Sequence, residues 1–272
     1  MTAADLSTVL CDLDGVIWLA HEPIAGSSEA VTTLRTSGCR VLFVTNNSSA
    51  RIDQHVAALA AVGIDAEGDV ISSSTAASHL VQPGERVLVT GGPGIVEAVE
   101  QRGATAIVND GTIDVRTDDT EPFDAVVVGL HRDFDYARLR SAAAALHGGA
   151  RLIGTNSDAT FPTPLGLDPG GGAIVAAVAA AGETTPIFAG KPHGPMAAAI
   201  AAAIGSGFDP ATTVMVGDRP ETDGLMAIEL DCRFALVRSG VTQPDEVVDP
   251  ERGVRIDIDL DDLAGLAAVI AV

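Results

Sequence analysis

The chain has 272 residues and a formal charge of -21, from 37 acidic and 16 basic side chains. Negative charge on this scale repels nucleic-acid backbones and anionic lipid, so neither is an expected partner, and the alanine-rich stretches 173–181 and 196–204 are too short to span a bilayer. The length suits one large α/β domain, or a core of about 150 residues that carries a second domain.

Residues 7–13 are a short apolar run ending in acidic residues and glycine, the pattern of a buried parallel strand that opens into a loop. Helical spacing over 27–36 and a strand over 40–45 complete a right-handed crossover unit. A helix over 49–61, a strand over 70–72 and a helix over 75–80 are expected next. Beyond Pro83-Gly84 a second series begins: strand 86–89, helix 94–102, strands 105–108 and 125–129, helix 136–147 and strand 151–154. These elements suffice for a small α/β body of their own. After Pro169-Gly170-Gly171-Gly172 a helix is expected to 181, then strand 186–189, helix 194–204, strands 212–216 and 232–237, and a last helix from 259. The simplest division is a core made from both ends, residues 1–81 and 187–272, with 82–186 inserted as a second α/β domain.

Cys11, Cys39 and Cys232 follow no metal-ligand spacing and are odd in number, so they are expected as apolar fillers in a reducing compartment. The start Met1-Thr2-Ala3-Ala4-Asp5 has no basic segment before an apolar one, and a secretory signal is not expected. A cytoplasmic location follows as the expectation.

Fifteen of the 16 basic residues are arginine, and the single lysine is Lys191, in Gly190-Lys191-Pro192. High-salt adaptation and genomic bias account for this composition equally well. A lone lysine between carboxylate clusters points to a pocket for a metal cation and an anionic group. Asp12 and Asp14, Thr45 and Asn46, Lys191, and Asp218 each follow a separate apolar run, and ligands of open parallel sheets bind beyond the carboxyl ends of the strands.

Asp12 and Asp14 are close enough to repel, and a divalent ion keeps the first ionised at neutral pH. An ionised Asp12 can attack phosphorus, and Asp14 can protonate the leaving alcohol and later activate water. Asp218 adds a carboxylate from another strand end, which suits magnesium and its preference for hard oxygen. Asp223 could orient a metal-bound water or hold Lys191. Thr45 and Asn46 can donate to phosphate oxygens, and Lys191 can neutralise charge shared by Asp12 and the phosphoryl group. Each motif alone has a plainer reading: a turn at Asp12-Leu13-Asp14-Gly15, a helix cap at Thr45-Asn46, solvated acids at Asp218 and Asp223, a surface lysine at 191. Gly91-Gly92-Pro93-Gly94 matches neither phosphate-binding glycine pattern and is expected as a tight turn. Gly92 and Pro93, with His131 and Arg132, are candidates for substrate selection.

The set Asp12-Leu13-Asp14-Gly15-Val16, Val44-Thr45-Asn46-Asn47-Ser48, Gly190-Lys191-Pro192 and Gly217-Asp218-Arg219 with Thr222-Asp223 resembles the haloacid dehalogenase-like phosphatases. Val128-Gly129-Leu130, Gly154-Thr155-Asn156 and Gly170-Gly171-Gly172-Ala173 extend the likeness to the branch of NagD-type, 4-nitrophenyl phosphate and phosphoglycolate phosphatases. That resemblance implies a Rossmann-like parallel-sheet hydrolase core with an inserted α/β cap domain. It places the nucleophile on Asp12, the acid/base on Asp14, phosphate contacts on Thr45, Asn46 and Lys191, magnesium on Asp12, Asp218 and the Asp14 carbonyl, and a supporting role on Asp223. His131, Ser157 and Gly194 depart from the pattern without removing a catalytic group. The implied activity is magnesium-dependent hydrolysis of a small phosphorylated metabolite through an aspartyl-phosphate, by a chain that could pair as a homodimer through the cap. A phosphosugar mutase and a catalytically weak metabolite-binding protein are the alternatives.

Overall fold

The computed structural model describes residues 6–19, 22–113, 121–163, 165–248 and 253–270; the segment 1–5, in which no secretory signal is expected, lies outside them. The chain forms two compact units, one of residues up to Thr45, Asp53–Ile71 and Lys191 onward, the other of Asn46–Ile52 and Ser72–Gly190.

In chain order, β1 (Thr8–Cys11) precedes a short pair, β2 (Trp18–Leu19) and β3 (Glu22–Pro23), followed by α1 (Ser27–Thr36), β4 (Arg40–Thr45), α2 (Ile52–Ala61) and β5 (Val70–Ser72). The second unit carries α3 (Ser73–Ser78), β6 (Arg86–Thr90), α4 (Pro93–Gln101), β7 (Thr105–Val108), β8 (Ala125–Val128) and α5 (Tyr136–His147). It continues with β9 (Arg151–Gly154), β10 (Thr160–Thr163), β11 (Gly166–Pro169), α6 (Gly171–Ala181) and β12 (Ile187–Phe188). The first unit resumes with α7 (Gly194–Ile204), β13 (Thr213–Gly217), α8 (Leu225–Glu229), β14 (Arg233–Val237), β15 (Ile258–Leu260) and α9 (Leu263–Ile270).

Among the described residues, the first unit is built on a six-stranded sheet of order β15-β14-β13-β1-β4-β5. Its central strand β1 runs parallel to both neighbours, with Val9 opposite Val214 and Val41, and Cys11 opposite Val216 and Phe43. Strands buried on both faces must be apolar throughout: Val9, Cys11, Phe43 and Val216 pack on one side with Leu34 of α1 and Leu266 of α9, while Leu10, Leu42 and Met215 between them are equally buried. Strand order reverses at β1, since the chain leaves it toward β4 and later returns on its other side as β13. A crevice opens at such a reversal, beyond the carboxyl ends of the strands.

The second unit has a five-stranded parallel sheet, β12-β9-β8-β6-β7, with Leu88, Val126, Val128 and Leu152 packed against Ala142 and Leu146 of α5 and Val175 and Val178 of α6. The expected α/β architecture, with one body inserted into a parallel-sheet core, is therefore present. The boundaries differ from 82 and 186. Residues 72–81 belong to the second unit, as does β12, which pairs with β9 through Ile187–Ile153 and Phe188–Gly154. Nothing local in a two-residue apolar strand states which sheet it joins.

Three further differences have local causes. The helix expected from 49 begins at Ile52, because the Ser49 carbonyl accepts from Gly94 N at 3.1 Å and the Ile52 N–H is capped by Glu97 Oε2 at 3.0 Å. The tail expected as a helix from 259 first forms β15, whose Ile258 and Leu260 pair with Ala235 and Val237. The antiparallel hairpin β10–β11 lies in a proline- and glycine-bearing stretch where strand propensity is low.

Candidate active site

Three adjacent strands of the first unit, β1, β4 and β13, end at polar side chains, and those after β1 and β13 come together. Asp12 follows β1, and its N–H donates to Val216 O at 2.9 Å, which extends the ladder one residue past the strand. Thr45 closes β4 and is buried. Asp218 follows β13. Lys191 is the first residue of the returning segment, only 1 % exposed. Its Nζ lies 2.8 Å from Asp12 Oδ1 and 2.7 Å from Asp223 Oδ1, and donates to the Val44 carbonyl at 3.1 Å. A desolvated ammonium is costly unless paired and hydrogen-bonded, and here it spans two carboxylates.

The carboxylates have distinct partners. Asp12 Oδ1 also accepts from Leu13 N at 2.8 Å. Asp223 uses Oδ1 for Lys191 and Oδ2 for the Arg219 N–H at 3.1 Å, so it is occupied in holding the lysine and the Arg219 loop. Asp218 Oδ2 accepts from Val241 N at 2.5 Å, and its backbone carbonyl accepts from Thr242 Oγ1 at 2.5 Å. Asp218 Oδ1 is buried and has no hydrogen-bond partner among the described residues. An orphaned carboxylate oxygen in a buried site is expensive unless a cation answers it. One ligand oxygen from each of Asp12, Asp218 and Asp223 can lie within 4.8 Å of the others, an all-oxygen set suited to a hard divalent ion. Since Asp223 is engaged by Lys191 and Arg219, Asp12 and Asp218 are the pair that fits such an ion.

Electrostatics agree with that assignment. Burial pushes the Asp12 carboxyl well above the usual range against the lowering effect of Lys191, and Asp223 and Asp218 push it further. Asp218 is pushed up to about 6, by burial first and by Asp223 second, against the Val241 N–H. For Lys191, burial works to lower the pKa, and the two carboxylates outweigh it, leaving the ammonium more firmly protonated than usual. A divalent cation beside Asp12 and Asp218 favours their ionised forms.

Asp218 is seated by two glycines. A Cβ on Gly15, at φ +87°, would lie 2.3 Å from Asp218 Oδ2, and one on Gly240 would lie 2.0 Å from the same oxygen. No side chain fits at either position while the carboxylate stays there. Ser239 Oγ donates to the Gly15 carbonyl at 2.7 Å and ties the loop after β14 to the turn after β1. Sequence reasoning missed this loop, Ser239 to Thr242. Its signal was available, since it follows an apolar strand and carries the serine, glycine and threonine common in turns.

Asp14 and Asp12 diverge despite their spacing. The turn closed by Ile17 N to Leu13 O at 2.9 Å leaves Asp12 buried and Asp14 exposed, and Asp14 Oδ1 accepts from Trp18 Nε1 at 3.1 Å. Asn46 belongs to the second unit. Its Nδ2 donates to Asp158 Oδ2 at 3.0 Å, and its carbonyl accepts from Ser73 Oγ at 2.7 Å and Asn156 Nδ2 at 2.8 Å.

The selection candidates also lie in the second unit. A Cβ on Gly92 would fall 2.6 Å from Ser49 Cα, so close backbone approach explains that glycine, and Pro93 opens α4, a position where its missing N–H costs nothing. Arg132 stacks over Phe161 at 5.7 Å, and burial, with Arg138 nearby, lowers the His131 pKa.

A family model described as haloacid dehalogenase-like hydrolase matches residues 9–105, and a second, HAD-hydrolase-like, matches 188–266. The chain is 32 % identical over 242 residues to the acid sugar phosphatase of Staphylococcus saprophyticus, covering 88 % of each protein. It is 34 % identical over 244 residues to the 5'-nucleotidase YutF of Bacillus subtilis, covering 88 % of this chain and 90 % of that one. The crystal structure of the glycerol phosphate phosphatase of Mycobacterium tuberculosis in complex with magnesium superposes with a TM-score of 0.84 at 32 % identity, covering 98 % of this chain and 78 % of that one. The chain belongs to the haloacid dehalogenase-like hydrolases. Among the described residues, no helix is long and apolar enough to cross a membrane.

Proposed function

We propose that this hydrolase is a magnesium-dependent phosphatase that cleaves a small phosphomonoester through an aspartyl-phosphate on Asp12. The observation that carries the reading is the pairing of Asp12 with the buried Lys191 ammonium at 2.8 Å beside an Asp218 oxygen that lacks a hydrogen bond among the described residues. A nucleophile, a phosphate-neutralising cation and a metal-seeking carboxylate then share one strand mouth.

In this mechanism Asp12 and Asp218, with the Asp14 carbonyl, would hold magnesium, which would supply positive charge to offset that of the reacting groups. Asp12 supplies the attacking oxygen. Lys191, fixed by Asp223, offsets the charge that builds on the phosphoryl oxygens. Thr45 and Asn46 are assigned to orienting those oxygens by hydrogen bonding. Asp14 gives its proton to the leaving oxygen and later takes one from the water that cleaves the aspartyl-phosphate. The names of the relatives support sugar phosphates and glycerol phosphates as the substrate class, with nucleoside monophosphates included in a screen. Phosphoglycolate belongs to the same screen, and 4-nitrophenyl phosphate is the artificial substrate of choice. Substrate selection is assigned to the inserted unit, with His131 and Arg132 as the residues to vary. Three buried thiols outside any disulfide fit a reducing compartment, and the cytoplasm is the proposed location.

The test is phosphate release from these esters with magnesium or with a chelator, by the parent and by Asp12→Asn. Release that needs the metal and falls at least about a thousandfold in the variant is expected, with the circular dichroism spectrum unchanged. Parental turnover by Asp12→Asn refutes the nucleophile assignment.

A further inference from the structure

We propose that Trp18 is a positioning residue for the acid/base carboxyl: its indole N–H holds Asp14 Oδ1 and thereby leaves Oδ2 as the oxygen that carries and delivers the proton. The inference rests on the phosphatase reading above and adds to it a residue that no sequence motif singled out.

The geometry is specific. Trp18 Nε1 donates to Asp14 Oδ1 at 3.1 Å. The two residues also face each other as an isolated backbone bridge, and Gly15 N donates to Trp18 O at 2.7 Å. Leu13 O collects the N–H groups of Ile17 at 2.9 Å and of Val16 and Trp18 at 3.3 Å each, so the turn that presents Asp14 also presents the indole. Trp18 is half-buried and packs on the core of the first unit, whereas Asp14 is exposed. A short, exposed aspartate would otherwise sample several rotamers; the anchored indole selects one.

The chemical consequence follows from donor and acceptor capacity. An indole N–H can only donate, and a carboxylic acid offers one O–H and one carbonyl oxygen. With Oδ1 committed as acceptor, the acid's proton resides on Oδ2. As the bond from phosphorus to the leaving oxygen breaks, that proton passes from Oδ2 to the departing oxygen, and Asp14 is left as a carboxylate. In the second half it takes a proton from water, which attacks phosphorus and frees Asp12. The indole supplies no proton and keeps the same bond throughout.

The experiment separates positioning from structure by the need of the leaving group for a proton. An alkyl ester such as glycerol 3-phosphate releases a strongly basic alkoxide unless protonated, whereas 4-nitrophenyl phosphate releases a stabilised phenolate. The quantity read is kcat/KM, which reports the steps through departure of the leaving group, so the shared hydrolysis of the aspartyl-phosphate cancels. Trp18→Phe should lower kcat/KM for the alkyl ester about tenfold more than for the aryl ester, and should leave that ratio unmoved when made in an Asp14→Asn background. Because Trp18 is the single tryptophan, a tryptophan auxotroph fed β-(3-benzothienyl)alanine gives a second variant in which sulfur replaces the N–H and the bicyclic shape is kept; it should reproduce the selective loss. Equal losses on both esters, no loss on either, or the same selective loss without the Asp14 carboxyl would overturn the proposal. Failure of the parent protein to release phosphate from any ester would instead overturn the reading on which it rests.

Discussion

Two parallel sheets lie in one chain, and what stands at their strand ends differs. In the first, Asp12, Thr45 and Asp218 follow or close adjacent strands, and Lys191 binds Asp12 and Asp223 among them. In the second, Thr90 closes β6, and Asn109, Gly129 and Thr155 follow β7, β8 and β9. These are neutral, and the polar ones make hydrogen bonds within their own unit: Asn109 Nδ2 donates to Thr90 Oγ1 and to Arg138 O at 2.9 Å each, and Ser48 Oγ lies 2.9 Å from Thr155 Oγ1. The same α/β layout therefore serves two ends. Both sheets bury a polar oxygen without a hydrogen-bond partner among the described residues, Asp218 Oδ1 in the first and Asn109 Oδ1 in the second, but only the first is a carboxylate beside other charges, which is the kind of environment that suits chemistry.

The contrast can be broken most severely at Lys191. Replacing it with methionine leaves Asp12 and Asp223 buried without their shared cation, and should lower kcat by about a hundredfold or more and stability by about 3 kcal/mol; steady-state assays and urea unfolding measure both. Next, Asp218→Asn keeps the side-chain shape between Gly15 and Gly240 and removes the metal-seeking charge. The magnesium concentration for half-maximal activity should rise about tenfold or more, and the thermal stabilisation expected on adding magnesium to the parent should be smaller in the variant. In the second sheet, Asn109→Ala should cost about 1 to 3 kcal/mol of stability, while kcat on 4-nitrophenyl phosphate stays within about twofold. A large fall in kcat with little loss of stability would erase the distinction between the sheets.

The smallest effect concerns the edge of the second unit, where Arg151 Nη2 lies 2.9 Å from Glu85 Oε2. The Arg151 hydrogen bond, against a weaker effect of burial and with the Gln82 N–H assisting, holds the Glu85 carboxyl below its ordinary range. A depressed carboxylate contributes stability that is present above the unfolded pKa and lost as pH falls through the folded one. Glu85→Gln should therefore lower Tm at neutral pH, by the equivalent of about 0.5 kcal/mol since the Arg151 side chain is 43 % exposed. The difference between variant and parent should close on acidification, as thermal scans across that range would report.

Legibility tracked the distance over which each feature is determined. The runs ending at Asp12, Thr45 and Asp218 were readable because a strand buried on both faces must be apolar along its length and its polar exit stands out. Other features needed a distant partner. The sequence left Asp223 with two roles, orienting a metal-bound water or holding Lys191, and only the folded chain pairs it with the lysine; the extent to which Asp14 turns away from Asp12 likewise depends on the turn that Trp18 completes. The loop from Ser239 to Thr242 escaped notice because its residues bond through backbone and hydroxyl groups that any turn contains.

The amino-acid sequence by itself determined the inventory: a single lysine, paired aspartates after short apolar strands, and the helix and strand periods that alternate into an α/β chain. Those are local properties, set by backbone geometry and by which side chains avoid water. Tertiary structure alone decided that Ile187 and Phe188 extend the second sheet, that Gly15 and Gly240 enclose Asp218, and that its Oδ1 is left without a donor among the described residues. Strand pairing, close approach and the count of hydrogen-bond partners are relations between distant segments, and they exist only once the chain has brought those segments together.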